Sequence, residues 1–254
     1  LISYTREHKL PMSTKNIIDI KDVCVEINGD ELLHSINLHL KPHSAFGFLG
    51  PNGAGKTTTM KTILGLLTPS SGSISVLGGT TRDKSVRSRI GFMPENTYLY
   101  KYLTAEEFLH FNGSFFQIEK DELANRITSL LEKVGLTHAR KKRLSTFSKG
   151  MLQRVGLAQA LINNPELVFL DEPMSGLDPI GRKMVKDLII ELKSQWVTVF
   201  FNTHILSDVE SICDEFAIIH QWSIIAHDHV KNINIPLEEY FMQKITLDEK
   251  YEVR

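Results

Sequence analysis

Cysteine is scarce in this chain. Cys24 and Cys213 are the only two among 254 residues, and they fit no CxxC spacing. That argues against a disulfide framework or a cysteine-based zinc site and suits a reducing compartment. Charge of one sign is missing too: 29 Lys and Arg stand against 30 Asp and Glu, a net charge of -1. No global field therefore draws in nucleic acid or an anionic membrane. Long apolar runs are absent, none approaching the about 18 residues of a membrane span, so work at a membrane needs a partner that supplies the spans. Leu1 to Pro11 has no apolar core like that of a signal peptide. Met12 reads as a start, and residues 1–16 read as a disordered leader. There is no internal repeat and no low-complexity tract. What remains is a balanced globular composition, 42% hydrophobic and 23% charged, with a cytosolic setting expected.

Strand and helix patterns alternate along the chain. Strands are expected at Ile17–Ile27, Ile36–Leu40, Ala45–Leu49, Ser73–Leu77, Leu167–Leu170 and Val197–Phe201, with a closing hairpin at Phe216–Ile219 and Ile224–Ala226. Helices are expected at Gly55 to about Leu67, Thr104–Phe116, Asp121–Val134, Lys149–Ile162, Pro179–Lys193, Ile205–Ile212 and, briefly, Leu237–Met242. Thr104 and Glu107 form a capping-box pattern. Residues of about 95–165 are thus mainly helical between two strand-rich parts. Alternation of this kind implies a mostly parallel sheet with helices on its faces.

The most specific feature is Gly50-Pro51-Asn52-Gly53-Ala54-Gly55-Lys56-Thr57, which fits GxxxxGK[ST] at every fixed position. An apolar strand precedes it and a helix follows, as the motif requires. Its glycines let backbone N–H groups surround phosphate oxygens, and the helix N-terminus adds its positive end. Lys56 is placed to reach the β- and γ-phosphates, and the Thr57 hydroxyl to ligate Mg²⁺. Thr58 continues the same first turn.

A second feature is the apolar run Leu167 to Leu170 ending in Asp171 and Glu172. Ligands of open α/β sheets sit at strand ends. Asp171 suits Mg²⁺. Glu172 is expected to face the other way, because strand residues alternate, and to polarise an attacking water.

Together these residues resemble the nucleotide-binding domain of ABC transporters, from about Ile17 to Asp228. Phe147-Ser148-Lys149-Gly150-Met151, followed by Gln153-Arg154, resembles the family signature, more often written LSGGQ. Ile90 to Glu95 resembles the Q-loop strand, Ser175-Gly176-Leu177-Asp178 the D-loop, and His204 the switch histidine. The resemblance implies a P-loop NTPase fold of ABC ATPase type: a mostly parallel core sheet, an antiparallel β subdomain and an inserted helical subdomain at about 95–165. Residues 17–228 would form that domain and residues 229–254 a C-terminal tail.

The resemblance also implies roles. Ser148 and Gly150 would aim donors at a γ-phosphate held by a second ATP-binding subunit, His204 would sense that phosphate, and Asp178 would cross the dimer seam. ATP and Mg²⁺ are the expected ligands. The expected partners are an integral membrane permease and a second copy of the chain, with no nucleic acid. The place would be the inner face of the cell membrane.

Three departures qualify this reading. Glu95 stands where the Q-loop has Gln, and a carboxylate can still approach Mg²⁺. Lys149 and Met151 replace Gly and Gln of the signature. Both variants resemble a branch linked to export through ABC-2-type membrane subunits. Ile27 stands where the family places an aromatic ring against adenine, which leaves GTP open beside ATP.

A competing reading is a soluble ABC-type ATPase acting on nucleic acid or ribosomes. Neither the long coiled coil of the first kind nor the paired domains of the second are present. Among other features, Arg140 to Arg143 reads as a solvated loop and His227-Asp228-His229 as a polar turn after the last strand. Tyr98, Tyr100 and Tyr102 read either as core caps or as part of the groove that, in the family, receives a coupling helix of the membrane subunit.

Overall fold

The computed structural model describes residues 16–96 and 99–252. The expected leader, apart from Asn16, and Tyr98 lie outside the described residues. In chain order the elements are β1 (Ile18–Ile27), β2 (Asp30–Leu40), β3 (Ala45–Leu49), α1 (Lys56–Ile63), β4 (Ser71–Val76), α2 (Lys84–Arg87) and β5 (Ile90–Met93). Then come α3 (Ala105–Gly113), α4 (Lys120–Lys133), α5 (Lys149–Ala160), β6 (Leu167–Asp171), α6 (Pro179–Ser194), β7 (Thr198–Thr203) and α7 (Leu206–Ile212). β8 (Glu215–His220), β9 (Ser223–His229) and α8 (Leu237–Glu252) complete the chain. The fold is α/β, with a mostly parallel sheet and a separate antiparallel one.

The chain divides into two compact units, and the division falls inside β7 after Val199. The unit Ser88–Val199 holds strands in the order β5-β6-β7. β5 and β6 pair in parallel, from Ile90 opposite Leu167 to Met93 opposite Leu170. Every residue of β6 is buried, as a strand covered on both faces must be. The helical stretch belongs to this unit. α3 begins with the expected capping box at Thr104 and Glu107, and α4 buries Leu123, Ile127, Leu130 and Leu131 along one stripe. Gly91 lets β5 approach α5: a Cβ there would run into the Ala160 carbonyl. Arg89 reinforces the start of β5 with a two-pronged ion pair to Glu166, its Nε donating at 2.9 Å and its Nη2 at 2.5 Å.

Among the described residues, the second unit comprises 16–87 and those from Phe200 onward. It contains the antiparallel sheet β2-β1-β4 and strands in the order β7-β3-β8-β9. β3 and β8 are parallel, while β8 and β9 form an antiparallel hairpin. The rings of Phe46 and Phe48 pack on Phe200 at centroid distances of 5.1 and 5.6 Å. All three are fully buried.

Four of the differences from the sequence reading have a plain physical reason. β2 begins at Asp30, not Ile36. Ser35 has φ +42, and the pairing slips there, Val23 facing Ile36 but Val25 facing Leu33. This extra residue breaks the period-two pattern. α1 stops at Ile63, well short of Leu67, because Gly65 adopts φ +71 just beyond it. α2 is a single turn with one buried residue, Val86, too short to give a period. α8 runs ten residues past Met242, to Glu252. Its anchors are mostly polar: Tyr240 donates to Asp228 and lies edge-on against Phe216, and Asp248 pairs with His220 Nδ1 at 2.7 Å. An apolar-period search does not see such a stripe.

Candidate functional site

The phosphate loop lies in the second unit. It leaves the wholly buried β3 and enters α1. Gly55, the N-cap of α1, has φ +108, and Gly53 has φ +82, values that L side chains rarely adopt. Gly50 has no room for a side chain, since a Cβ would meet the Ile219 carbonyl of β8. The loop's three glycines therefore have two different reasons, conformation at Gly53 and Gly55 and close packing at Gly50. Pro51, Asn52 and Gly53 are exposed and Ala54 is buried. Lys56 is only 8% exposed. Its ammonium donates to the Gly50 carbonyl at 2.7 Å and the Pro51 carbonyl at 3.0 Å, which curls the side chain back over the loop that precedes it. Thr57 and Thr58 are half-buried in the first turn of α1. Thr59 and Thr62 return their hydroxyls to the carbonyls four residues back.

The loop is braced from behind by the β8–β9 turn. Trp222 donates its N–H to the Ala54 carbonyl at 3.1 Å and accepts at its own carbonyl from the His34 N–H at 2.9 Å. Its indole stacks on the His34 ring at 5.8 Å. Gln221 and Trp222 both have positive φ, +40 and +66, as a two-residue hairpin turn of type I′ requires. Sequence reasoning missed this brace, because its partners are long-range. In the same unit, Ile27 ends β1 and is 40% exposed. His204 follows β7 and is exposed, beside Asn202, whose amide donates to the Met60 sulfur of α1 at 3.9 Å.

The acidic pair and the signature lie in the other unit. Asp171 is the last residue of β6 and 2% exposed. Glu172 corrects the expectation. It does not continue the strand alternation. Instead it turns off the strand with φ +49, 9% exposed. Its carbonyl accepts from the Ser175 N–H at 3.0 Å and from the Gln153 side-chain amide at 3.1 Å.

Ser148 caps α5, its oxygen accepting from Met151 N–H at 3.2 Å. That uses a lone pair and leaves the hydroxyl hydrogen to donate elsewhere. Lys149, in the place of the usual glycine, lies against Gly176, where a Cβ would be 2.9 Å from the lysine Cε. Gly150 faces Leu177. Asp178 caps α6, with Oδ1 accepting from Gly181 N–H at 2.7 Å and Pro179 opening the helix. Glu95 is exposed just beyond β5.

Two features take a different place from the one expected. Arg140 is not merely solvated. It donates to Glu106 at 2.6 Å and to Thr128 at 2.8 Å, and its guanidinium holds the Glu106 carboxyl below the ordinary range. His227, Asp228 and His229 belong to β9 rather than to a turn after it. His227 and His229 share one face and bracket Glu215 at 3.4 and 3.5 Å. The hydrogen bond from His227 holds the Glu215 carboxyl below its ordinary value. No group of three or more metal-ligating side chains occurs among the described residues.

Residues 33–175 match the family described as ABC transporter. The chain is 52% identical over 197 residues to an uncharacterized ABC transporter ATP-binding protein of Synechocystis sp., covering 77% of this chain and 56% of that protein. It is 42% identical over 229 residues to the bacitracin transport ATP-binding protein BcrA of Bacillus licheniformis, covering 88% and 73%. A solved ATP-binding subunit of an ABC transporter superposes with a TM-score of 0.84 at 29% identity, covering 90% of this chain and 99% of that one. The chain spans just over half the length of the curated relatives it matches in Synechocystis sp. and Nostoc sp., 56% and 58%. The glycine-built loop, the strand ending in Asp171 and the capped signature helix agree with these likenesses, and the chain belongs to the ABC transporter family, among its ATP-binding members.

Proposed function

We propose that the chain binds ATP with Mg²⁺, hydrolyses it and thereby powers transport, in the export direction, through a separate integral membrane permease. The observation that carries this reading is the phosphate loop, with Gly55 at φ +108 and Lys56 folded back onto Gly50 and Pro51. Backbone N–H groups from Asn52 to Thr58 and the Lys56 ammonium would hold the phosphates, with Gly50 and Pro51 shaping the loop's entry. Ile27 would pack against the base. Thr57, Asp171 and Glu95 offer the hard oxygen donors that Mg²⁺ takes, and these would hold the ion. Bound there, Mg²⁺ would supply charge neutralisation for the phosphates.

Glu172 is the general base in this reading. It orients a water and takes its proton as that water attacks the γ-phosphorus, while the bond from that phosphorus to the β,γ-bridging oxygen breaks and ADP leaves beside the inorganic phosphate formed. His204 hydrogen-bonds the γ-phosphate. Ser148, Gly150 and Asp178 serve the nucleotide of a second copy of the chain, so the working form is a homodimer. A membrane partner is supported by the likeness to transport ATP-binding proteins such as BcrA; no helix among the described residues is long and apolar enough to cross a membrane. Its docking face is proposed at Tyr100, Tyr102, Phe111 and Phe115. These are 47%, 69%, 41% and 66% exposed, and their rings form a chain of contacts at 5.1–5.9 Å. Aromatic side chains suit such anchoring. Through this partner the chain would sit on the inner face of the cell membrane. Export is supported by Glu95 and the Phe147–Met151 variant of the signature.

The test is Glu172→Gln. Turnover should vanish while MgATP gathers the chain into a dimer, read by size-exclusion chromatography with and without ATP. Hydrolysis at the wild-type rate would remove Glu172 from the mechanism.

A further inference from the structure

The structure assigns Gln153 as the positioning residue for Glu172, through the hydrogen bond from its side-chain amide to the Glu172 carbonyl. The inference rests on the proposed role of Glu172 as general base. Glu172 holds an unusual backbone. Its φ of +49 lies in the left-handed region, which a residue with a Cβ rarely adopts. Pro173 follows, and a residue before proline is steered toward extended conformations instead. The local sequence therefore works against the observed turn, and something must hold it.

Two donors meet on the Glu172 carbonyl. One, the Ser175 N–H at 3.0 Å, belongs to the turn itself. The other comes from outside. Gln153 is 5% exposed on α5, nineteen residues earlier, and its Nε2 donates at 3.1 Å. A carbonyl only accepts, so the amide nitrogen must face it. Burying a glutamine amide is costly unless it is bonded. At its place on α5, beside the buried Val155, Leu157 and Ala158, an apolar side chain would pack without that cost.

The plane of the Glu172–Pro173 peptide sets the direction in which the Glu172 side chain leaves the backbone. Gln153 thus aims the carboxylate from a distance without touching substrate. It also ties that aim to the helix capped by Ser148, five residues earlier.

Gln153→Met and Gln153→Glu test the assignment, with Glu172→Gln as the control. Phosphate release by the purified chain is followed over a range of MgATP concentrations and pH, and thermal melting reports the folded fraction. Gln153→Met matches the side chain in length but cannot donate. It should lower kcat roughly 10- to 100-fold, the scale of a misaimed catalytic group, with KM for ATP within about twofold. In Gln153→Glu, a protonated carboxyl can still donate, so the ratio of its kcat to the wild-type value should rise as pH falls.

Wild-type kcat in Gln153→Met, with Glu172→Gln inactive, overturns the assignment and spares the base. A flat pH ratio in Gln153→Glu, or a loss of turnover that follows the unfolded fraction, overturns it as well. Wild-type turnover in Glu172→Gln removes the base reading itself, and the assignment falls with it.

Discussion

The left-handed turn at Glu172 makes a quantitative prediction that concerns folding rather than turnover. Two replacements remove the carboxylate: Glu172→Ala keeps a Cβ, and Glu172→Gly does not. At an ordinary position glycine is the worse choice, by roughly 0.5–1 kcal/mol, because it loses more backbone freedom on folding. At φ +49 alanine keeps a steric penalty of about 1–2 kcal/mol that glycine escapes. The bonds to the Glu172 carbonyl are common to both variants and largely cancel, while the clash of Pro173 with a preceding Cβ is met by alanine alone and acts in the same direction. Glu172→Gly should therefore be more stable than Glu172→Ala by roughly 0.5–1 kcal/mol, reversing the usual order. In a chain of this size that is about 1–4 °C in melting temperature. Far-UV circular dichroism melts at matched concentration measure it. If Glu172→Ala melts higher, the residue is not held in the left-handed region, and the argument linking Gln153 to its direction fails.

Two further expectations follow from named contacts. Lys56→Ala removes a cation bonded at 2.7 and 3.0 Å to the loop carbonyls. A charge pair near a protein surface is worth up to about 4 kcal/mol, so affinity for a fluorescent ATP analogue should fall roughly 100-fold or more; unchanged titration curves would discredit the phosphate-loop reading. Glu215 tests pH linkage. Its carboxyl is held below the ordinary value of 4.5, chiefly by His227, so its contribution is fully present above 4.5 and is lost as pH falls through the lower folded value. Glu215→Gln should therefore destabilise the protein at pH 7 by about 1 kcal/mol or less. That gap should close in acid, as read from urea midpoints at pH 7 and at about pH 3.

Much of the fold was legible because its signals are local. Strands such as β3 and β6 are unbroken apolar runs, Thr104 with Glu107 announces α3, and Pro179 announces α6. Boundaries failed where the backbone does something a side-chain pattern cannot record. The extra residue at Ser35 hides the first half of β2, and Gly65 ends α1 before the proline that served as its marker. α8 stayed hidden because its contacts run through Tyr240 and Asp248 rather than through an apolar stripe.

The candidate site divides in the same way. The phosphate loop and Asp171 could be named from the motif and the strand pattern, and Ser148 from the family resemblance, since those signals are local. The direction of Glu172 could not. A residue before proline gives no sign that it will turn left-handed, and the amide that meets its carbonyl lies nineteen positions away. The partnership of Trp222 with Ala54 and His34 is equally silent in the sequence, because it joins three distant stretches through main-chain groups.

That turn behind the phosphate loop has an evolutionary side. Gln221 and Trp222 both occupy left-handed backbone, which Asn-Gly would enter at lower cost. Gln221 is exposed, and any residue comfortable at positive φ would serve there. Trp222 is different: glycine would relax the backbone and still leave the main-chain bonds to Ala54 and His34 possible, but it would strip the indole from the His34 ring. The two adjacent positions should therefore tolerate substitution unequally. The first can wander among turn formers, while the second keeps a bulky ring in a conformation suited to the smallest residue.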